Sequence, residues 1–94
     1  MRSFAERKIK GGKLVGVELE YDGKIESVKI LGDFFLYPED SLRKIENALV
    51  GLDANVGSKV LAARISRVVA QEGAEFLGAT PEAIAEVICA AVKK

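Results

Sequence analysis

The chain has 94 residues, 49% apolar and 30% charged, with 14 Lys and Arg balancing 14 Asp and Glu to a formal net charge of zero. This is the size and mix of one globular domain, residues 1–94, and the neutral total argues against a dedicated nucleic-acid binder. There is no His, no Trp and a single Cys, so His-based catalytic triads, imidazole zinc sites, intrachain disulfides and CxxC redox pairs are excluded.

The neutral total conceals a gradient. Residues 1–13 carry +4, residues 14–57 carry −5 and residues 58–94 carry +1. Two readings fit: neighbouring strands of complementary charge, or a basic segment that meets phosphate or an acidic partner. Met1 to Arg7 contains no apolar run of the kind a signal peptide needs, and Ala83–Val92 is too short and too interrupted to span a bilayer. With one Cys, the chain reads as cytoplasmic, with no membrane partner.

The first half alternates in the manner of strands. Ser3–Lys10 alternates weakly and is expected to pair ahead of a Gly11-Gly12 turn. From Lys13 to Tyr21, Val15, Val17, Leu19 and Tyr21 occupy one face and Leu14, Gly16, Glu18 and Glu20 the other. Asp22-Gly23 then predicts a type I′ hairpin turn, with Ile25–Leu31 returning and Val28 and Ile30 as its apolar face. The second half has helical spacing. Pro38 with Glu39 and Asp40 predicts a helix start, Leu42, Ile45, Ala48, Leu49 and Leu52 its apolar face, and Gly51 its stop. Val56, Val60, Leu61, Ile65, Val68 and Val69 predict a second helix ending near Gly73. Thr80-Pro81-Glu82 opens a third, with Ile84, Val87, Ile88, Ala91 and Val92 inward. The expected fold is α+β: a small antiparallel sheet of about three strands, followed by three helices packed on one face.

Four features bear on chemistry. Gly11-Gly12-Lys13 lacks the spacing of a phosphate loop and precedes a strand, so it reads as a turn. Lys13 there could still meet a phosphate or carboxylate as a point charge. Gly32-Asp33-Phe34-Phe35-Leu36-Tyr37-Pro38 places half of the six aromatic residues in one connection. At least one Phe is expected to plug the sheet–helix junction. Successive side chains point in different directions, so a connection this short does not bury all three, and an exposed one becomes an interface anchor. Asp33 is expected either to cap local N–H groups or to meet a cation or basic partner. Glu39, Asp40 and Glu46 match no calcium loop or paired-carboxylate hydrolase, and Cys89 reads as core.

Glu6-Arg7-Lys8, Gly11-Gly12-Lys13-Leu14-Val15 and above all Gly-Asp-Phe-Phe-Leu-Tyr-Pro-Glu (32–39) together resemble the C-terminal accessory domain of lipoate–protein ligase A. The likeness continues through Leu42, Glu46, Leu49 and Gly51 to Gly78-Ala79-Thr80-Pro81-Glu82, and the lack of the large domain resembles the split form of that enzyme. The resemblance implies an accessory subunit needed by a separate large catalytic subunit, which activates lipoate with MgATP to lipoyl-adenylate. The lipoyl group then passes to a lysine of an acceptor, the lipoyl domain of a 2-oxoacid dehydrogenase E2 or the glycine-cleavage H protein. On this reading the chain itself holds no catalytic residue, metal or cofactor, because lipoate and MgATP belong to the large subunit. Phe34, Phe35 and Tyr37 would anchor the junction with that subunit, and Lys13 and Asp33 would lie at its polar edge. The alternatives are a non-enzymatic binding module of lipoyl metabolism and an iron–sulfur or sulfur-transfer scaffold, for which Cys89 is a poor candidate.

Overall fold

In the computed structural model, which describes residues 1–9, 11 and 13–92, strands β1 (Arg2–Lys8), β2 (Leu14–Asp22) and β3 (Lys24–Gly32) form an antiparallel sheet in chain order. The β1–β2 turn closes through an Ile9 N–H that donates to the Lys13 carbonyl at 2.8 Å, while Lys10, the expected end of the first strand, and Gly12, of the expected turn, lie outside the described residues. Val15, Val17, Leu19 and Tyr21 of β2 are all buried, as their alternation predicts.

In β3 the inward residues are Ile25, Val28 and Ile30, a spacing of three and then two. The register shows why. Tyr21 pairs with Ile25 but Glu20 pairs with Ser27, so a bulge absorbs Glu26 and turns Ile25 onto the face of Val28. At the tip of this hairpin only Gly23 has a positive φ (76°) and Asp22 does not. The turn is therefore not type I′, which needs positive φ at both central residues.

Helices α1 (Ser41–Leu49), α2 (Ser58–Glu72) and α3 (Pro81–Ala91) cover one side of the sheet. Helix α1 lies on β3, α3 lies on β1 and β2, and α2 packs against both α1 and α3. Ile45 and Leu49, Leu61 and Ile65, and Ile84 and Ile88 are at most 1% exposed and share one core with the inner faces of the strands. Each such side chain contributes about 1.5–3 kcal/mol through burial. Some expectations fail at the helices: Leu52 and Val56, read as parts of the first and second helical faces, lie in the connection between α1 and α2. Helix α1 starts at Ser41, because Pro38–Asp40 forms a turn in which the Pro38 carbonyl accepts from the Ser41 N–H at 3.0 Å. Val60 of α2 is 46% exposed, since α2 rests on two helices and Val60 faces neither. Helix α3 begins as predicted, with Thr80 Oγ1 accepting from the Ala83 N–H at 3.1 Å.

Lys44 of α1 reaches Glu72 of α2 at 2.6 Å, and that hydrogen bond and the Glu72 charge, with a smaller contribution from Asp40, hold the Lys44 ammonium above its ordinary pKa of 10.5. The outer edge of β3 is closed from the helical side. Ile25 exchanges 2.8 Å backbone bonds with Gly51 and Leu52, and the Ile30 N–H donates to Glu46 Oε2 at 2.8 Å. Glu46 is therefore an edge cover, a role its place in an acidic group does not announce. Glu46→Ala should cost about 1–2 kcal/mol in urea denaturation by leaving that N–H unpaired, whereas Glu46→Gln, which keeps an acceptor oxygen, should cost less.

Candidate functional site

The site is built where β3 ends. Gly32 has φ 156°, and a Cβ placed on it would stand 2.3 Å from the Leu14 carbonyl oxygen and 2.9 Å from the Phe34 ring. Only glycine permits this approach. It lets the Asp33 N–H donate to the Leu14 carbonyl at 3.0 Å, which steers the following residues away from the sheet.

The chain then forms a short strand, β4 (Phe35–Tyr37), which pairs antiparallel with β5 (Glu75–Leu77) as a separate two-stranded ribbon. The left-handed cap at Gly73 (φ 60°) ends α2, and Ala74 N–H bonds the Val69 carbonyl at 2.9 Å, so the chain turns into β5. Facing pairs are Phe35 with Leu77, Leu36 with Phe76 and Tyr37 with Glu75. Leu36 is buried, and Phe76 meets the half-buried Phe34 ring at 5.9 Å between centroids, tilted by 53°. The other side of the ribbon faces outward, with Phe35 and Tyr37 each 72% exposed and Leu77 56% exposed.

The five sequence-predicted residues thus gather at this junction, in different roles. Phe34 is the plug, with its Cβ 3.6 Å from the position a Gly78 side chain would take. Phe35 and Tyr37, two apart on a strand, share the exposed face. Lys13 is exposed, and its Cγ approaches the same Gly78 position at 3.6 Å, so it stands beside Phe34. Asp33 is exposed, and its carboxylate accepts no hydrogen bond among the described residues, so the local capping expected of it is not what the side chain does there. Its backbone N–H makes the structural contact instead.

Sequence reasoning missed Leu77 and the whole of β5. The signal was present: Glu75-Phe76-Leu77 alternates between Gly73 and Gly78. Exposed Asp33, Glu39 and Glu75 flank the apolar face with negative charge. Among the described residues no group of three Cys, Asp or Glu side chains is placed to hold a metal ion. Cys89 is half-buried against the core. What the junction offers is an outward-facing apolar surface bordered by Asp33, Glu39 and Glu75 and by Lys13, suited to binding a protein.

No protein-family model matches the chain. Lipoate-protein ligase A subunit 2 of Thermoplasma acidophilum is 47% identical over 39 residues, a stretch that covers 40% of this chain and 42% of that protein. The match therefore spans less than half the length of that curated relative. Among solved structures, the study of an archaeal lipoylation system from Thermoplasma acidophilum, a bi-partite lipoate protein ligase and its E2 lipoyl domain, contains a chain with TM-score 0.77 and 30% identity, with 94% of each chain covered. The shared fold along almost the full length, at that identity and with a second match in sequence to a ligase subunit, means that this chain belongs to the family of lipoate–protein ligase A subunit 2 proteins, subunits of two-part lipoate–protein ligases.

Proposed function

We propose that the chain works as the accessory subunit of a lipoate–protein ligase, joining a separate large catalytic subunit for the ATP-dependent conversion of lipoate to lipoyl-adenylate. The observation that supports this most is the uncovered ribbon face of Phe35, Tyr37 and Leu77, in a chain that aligns over 94% of its length with a chain from a bi-partite ligase structure. Three large side chains projecting from a two-stranded ribbon stabilise a complex only when something covers them.

In this proposal lipoate and MgATP are held by the large subunit, and the small subunit acts as a lid. Covering the partner's site would keep water from a reactive acyl-adenylate, and release would open the site to the acceptor lysine. The acceptors would be lipoyl domains of 2-oxoacid dehydrogenase E2 subunits and the glycine-cleavage H protein, and the setting the cytoplasm. No helix among the described residues is long and apolar enough to cross a membrane.

The test is reconstitution. Lipoyl-adenylate formation by a large ligase subunit, followed as pyrophosphate release, should rise by on the order of tenfold or more when this chain is added. Asp33→Ala and Phe35→Ala should each reduce that stimulation while the chain stays folded. A chain that binds the large subunit without changing adenylate formation would be a binding module, and the accessory role would be lost.

A further inference from the structure

Among the described residues, the helices cover one side of the three-stranded sheet and leave the other bare. On that bare side the register sets Phe4 opposite Glu18 and Gly16 opposite Leu31. Phe4 is 51% exposed and Leu31 43% exposed, although both lie within regular strands. Gly16, with no side chain, leaves a hollow that the Phe4 ring fills, its Cζ lying 3.5 Å from the position of a Gly16 Cβ. Leu31 in turn lines the same shallow groove, about 290 Å³, as Phe34, Phe35 and Leu36. The apolar surface of the ribbon therefore does not stop at the ribbon. It runs from Phe35 through Leu31 and across Gly16 to Phe4.

Area decides what this track is for. Phe35, Tyr37 and Leu77 together expose roughly 400 Å², about half of the ~800 Å² that each partner buries in a standard interface. A stable complex formed through the ribbon must extend beyond it, and the track is the apolar surface continuous with it. Its borders carry both signs: Arg2 and Glu20 pair at 3.6 Å, and Glu18 faces Lys29 across the strands. The ribbon end carries Asp33, Glu39 and Glu75, with Lys13 beside Phe34.

We infer that the large ligase subunit covers the bare sheet face as well as the ribbon, with Phe4 and Leu31 as additional anchors. The inference rests on the accessory-subunit reading and extends it to a second surface. The partner surface it requires is apolar along the track, basic opposite Asp33, Glu39 and Glu75, and mixed in charge opposite the sheet.

Phe4→Thr and Leu31→Thr keep strand-forming residues at exposed positions, and unchanged thermal unfolding confirms that the variants are folded. Titrated into the large subunit by calorimetry, each should weaken Kd by about tenfold and the double variant by about a hundredfold, with heat of unfolding unaltered. Wild-type affinity in the double variant, alongside a weakened Phe35→Ser complex, would overturn the inference and leave the ribbon interface standing. Sedimentation showing that this chain pairs with itself through Phe4 and Leu31, with the large subunit bound equally by the double variant, would assign the face to a second copy and also overturn it. Tight binding that depends on Phe4 and Leu31 but brings no stimulation of adenylate formation would instead support the surface and count against the catalytic reading alone.

Discussion

Gly32→Ala should destabilise the fold by about 3 kcal/mol or more, a large share of what a domain of this size holds. The added Cβ would lie 2.3 Å from the Leu14 carbonyl oxygen, a backbone atom with nowhere to go. That oxygen accepts from the Asp33 N–H at 3.0 Å, and Leu14 also pairs with Lys8 in the sheet. A second clash, 2.9 Å, is with the Phe34 ring, which also packs against Phe76. The φ of 156° adds backbone strain for any residue with a side chain. Gly16→Ala is the control, since its Cβ would meet the Phe4 ring at 3.5 Å and the Ala5 carbonyl oxygen at 3.9 Å, both ordinary contacts, and should leave stability within about 1 kcal/mol. Urea denaturation of the two variants separates the cases, and equal midpoints would refute the argument for Gly32.

How far the sequence reveals this structure depends on how local the cause is. The start of α3 is legible because its hydrogen bond spans three residues, from Ala83 to Thr80. The alternation of β2 is legible because its inner face is wholly buried. Pro38 misleads because the competing element is non-local: Phe35–Tyr37 is claimed by β5, some forty residues on, which pushes the helix start to Ser41. Val60 misleads because periodicity identifies an apolar stripe but not its width, and α2 rests on two helices that leave one edge of the stripe outside. Glu46 was invisible for a related reason, since its partner is a strand-edge N–H sixteen residues earlier. At the site, the dense aromatic motif was readable, and so was the impossibility of burying all of it from one connection. Which ring turns inward was not readable, because that follows from the ribbon register that places Leu36 against Phe76.

That register sets the other large effect. Replacing Phe35 and Leu77 together by serine should weaken association with the large ligase subunit by about a hundredfold or more, while changing the stability of the isolated chain by less than about 1 kcal/mol. The two side chains face each other across β4 and β5 and are 72% and 56% exposed, so the folded chain loses little when they are cut back. In a complex the loss is large, because roughly 250 Å² of apolar surface at about 25 cal/mol per Å² would no longer be withdrawn from water. The residue that follows Phe35 in sequence reverses the pattern. Leu36 is 7% exposed and packs inward, so Leu36→Ala should cost about 2–4 kcal/mol of folding stability. A variant of that kind impairs the complex only through loss of the folded subunit, and its binding should recover under conditions that restore the fold. The Phe35→Ser/Leu77→Ser subunit should remain folded and unbound, a result that separates a docking surface from a structural ribbon. If that subunit binds with wild-type affinity, the ribbon is an exposed feature of the fold and the large subunit must be held elsewhere.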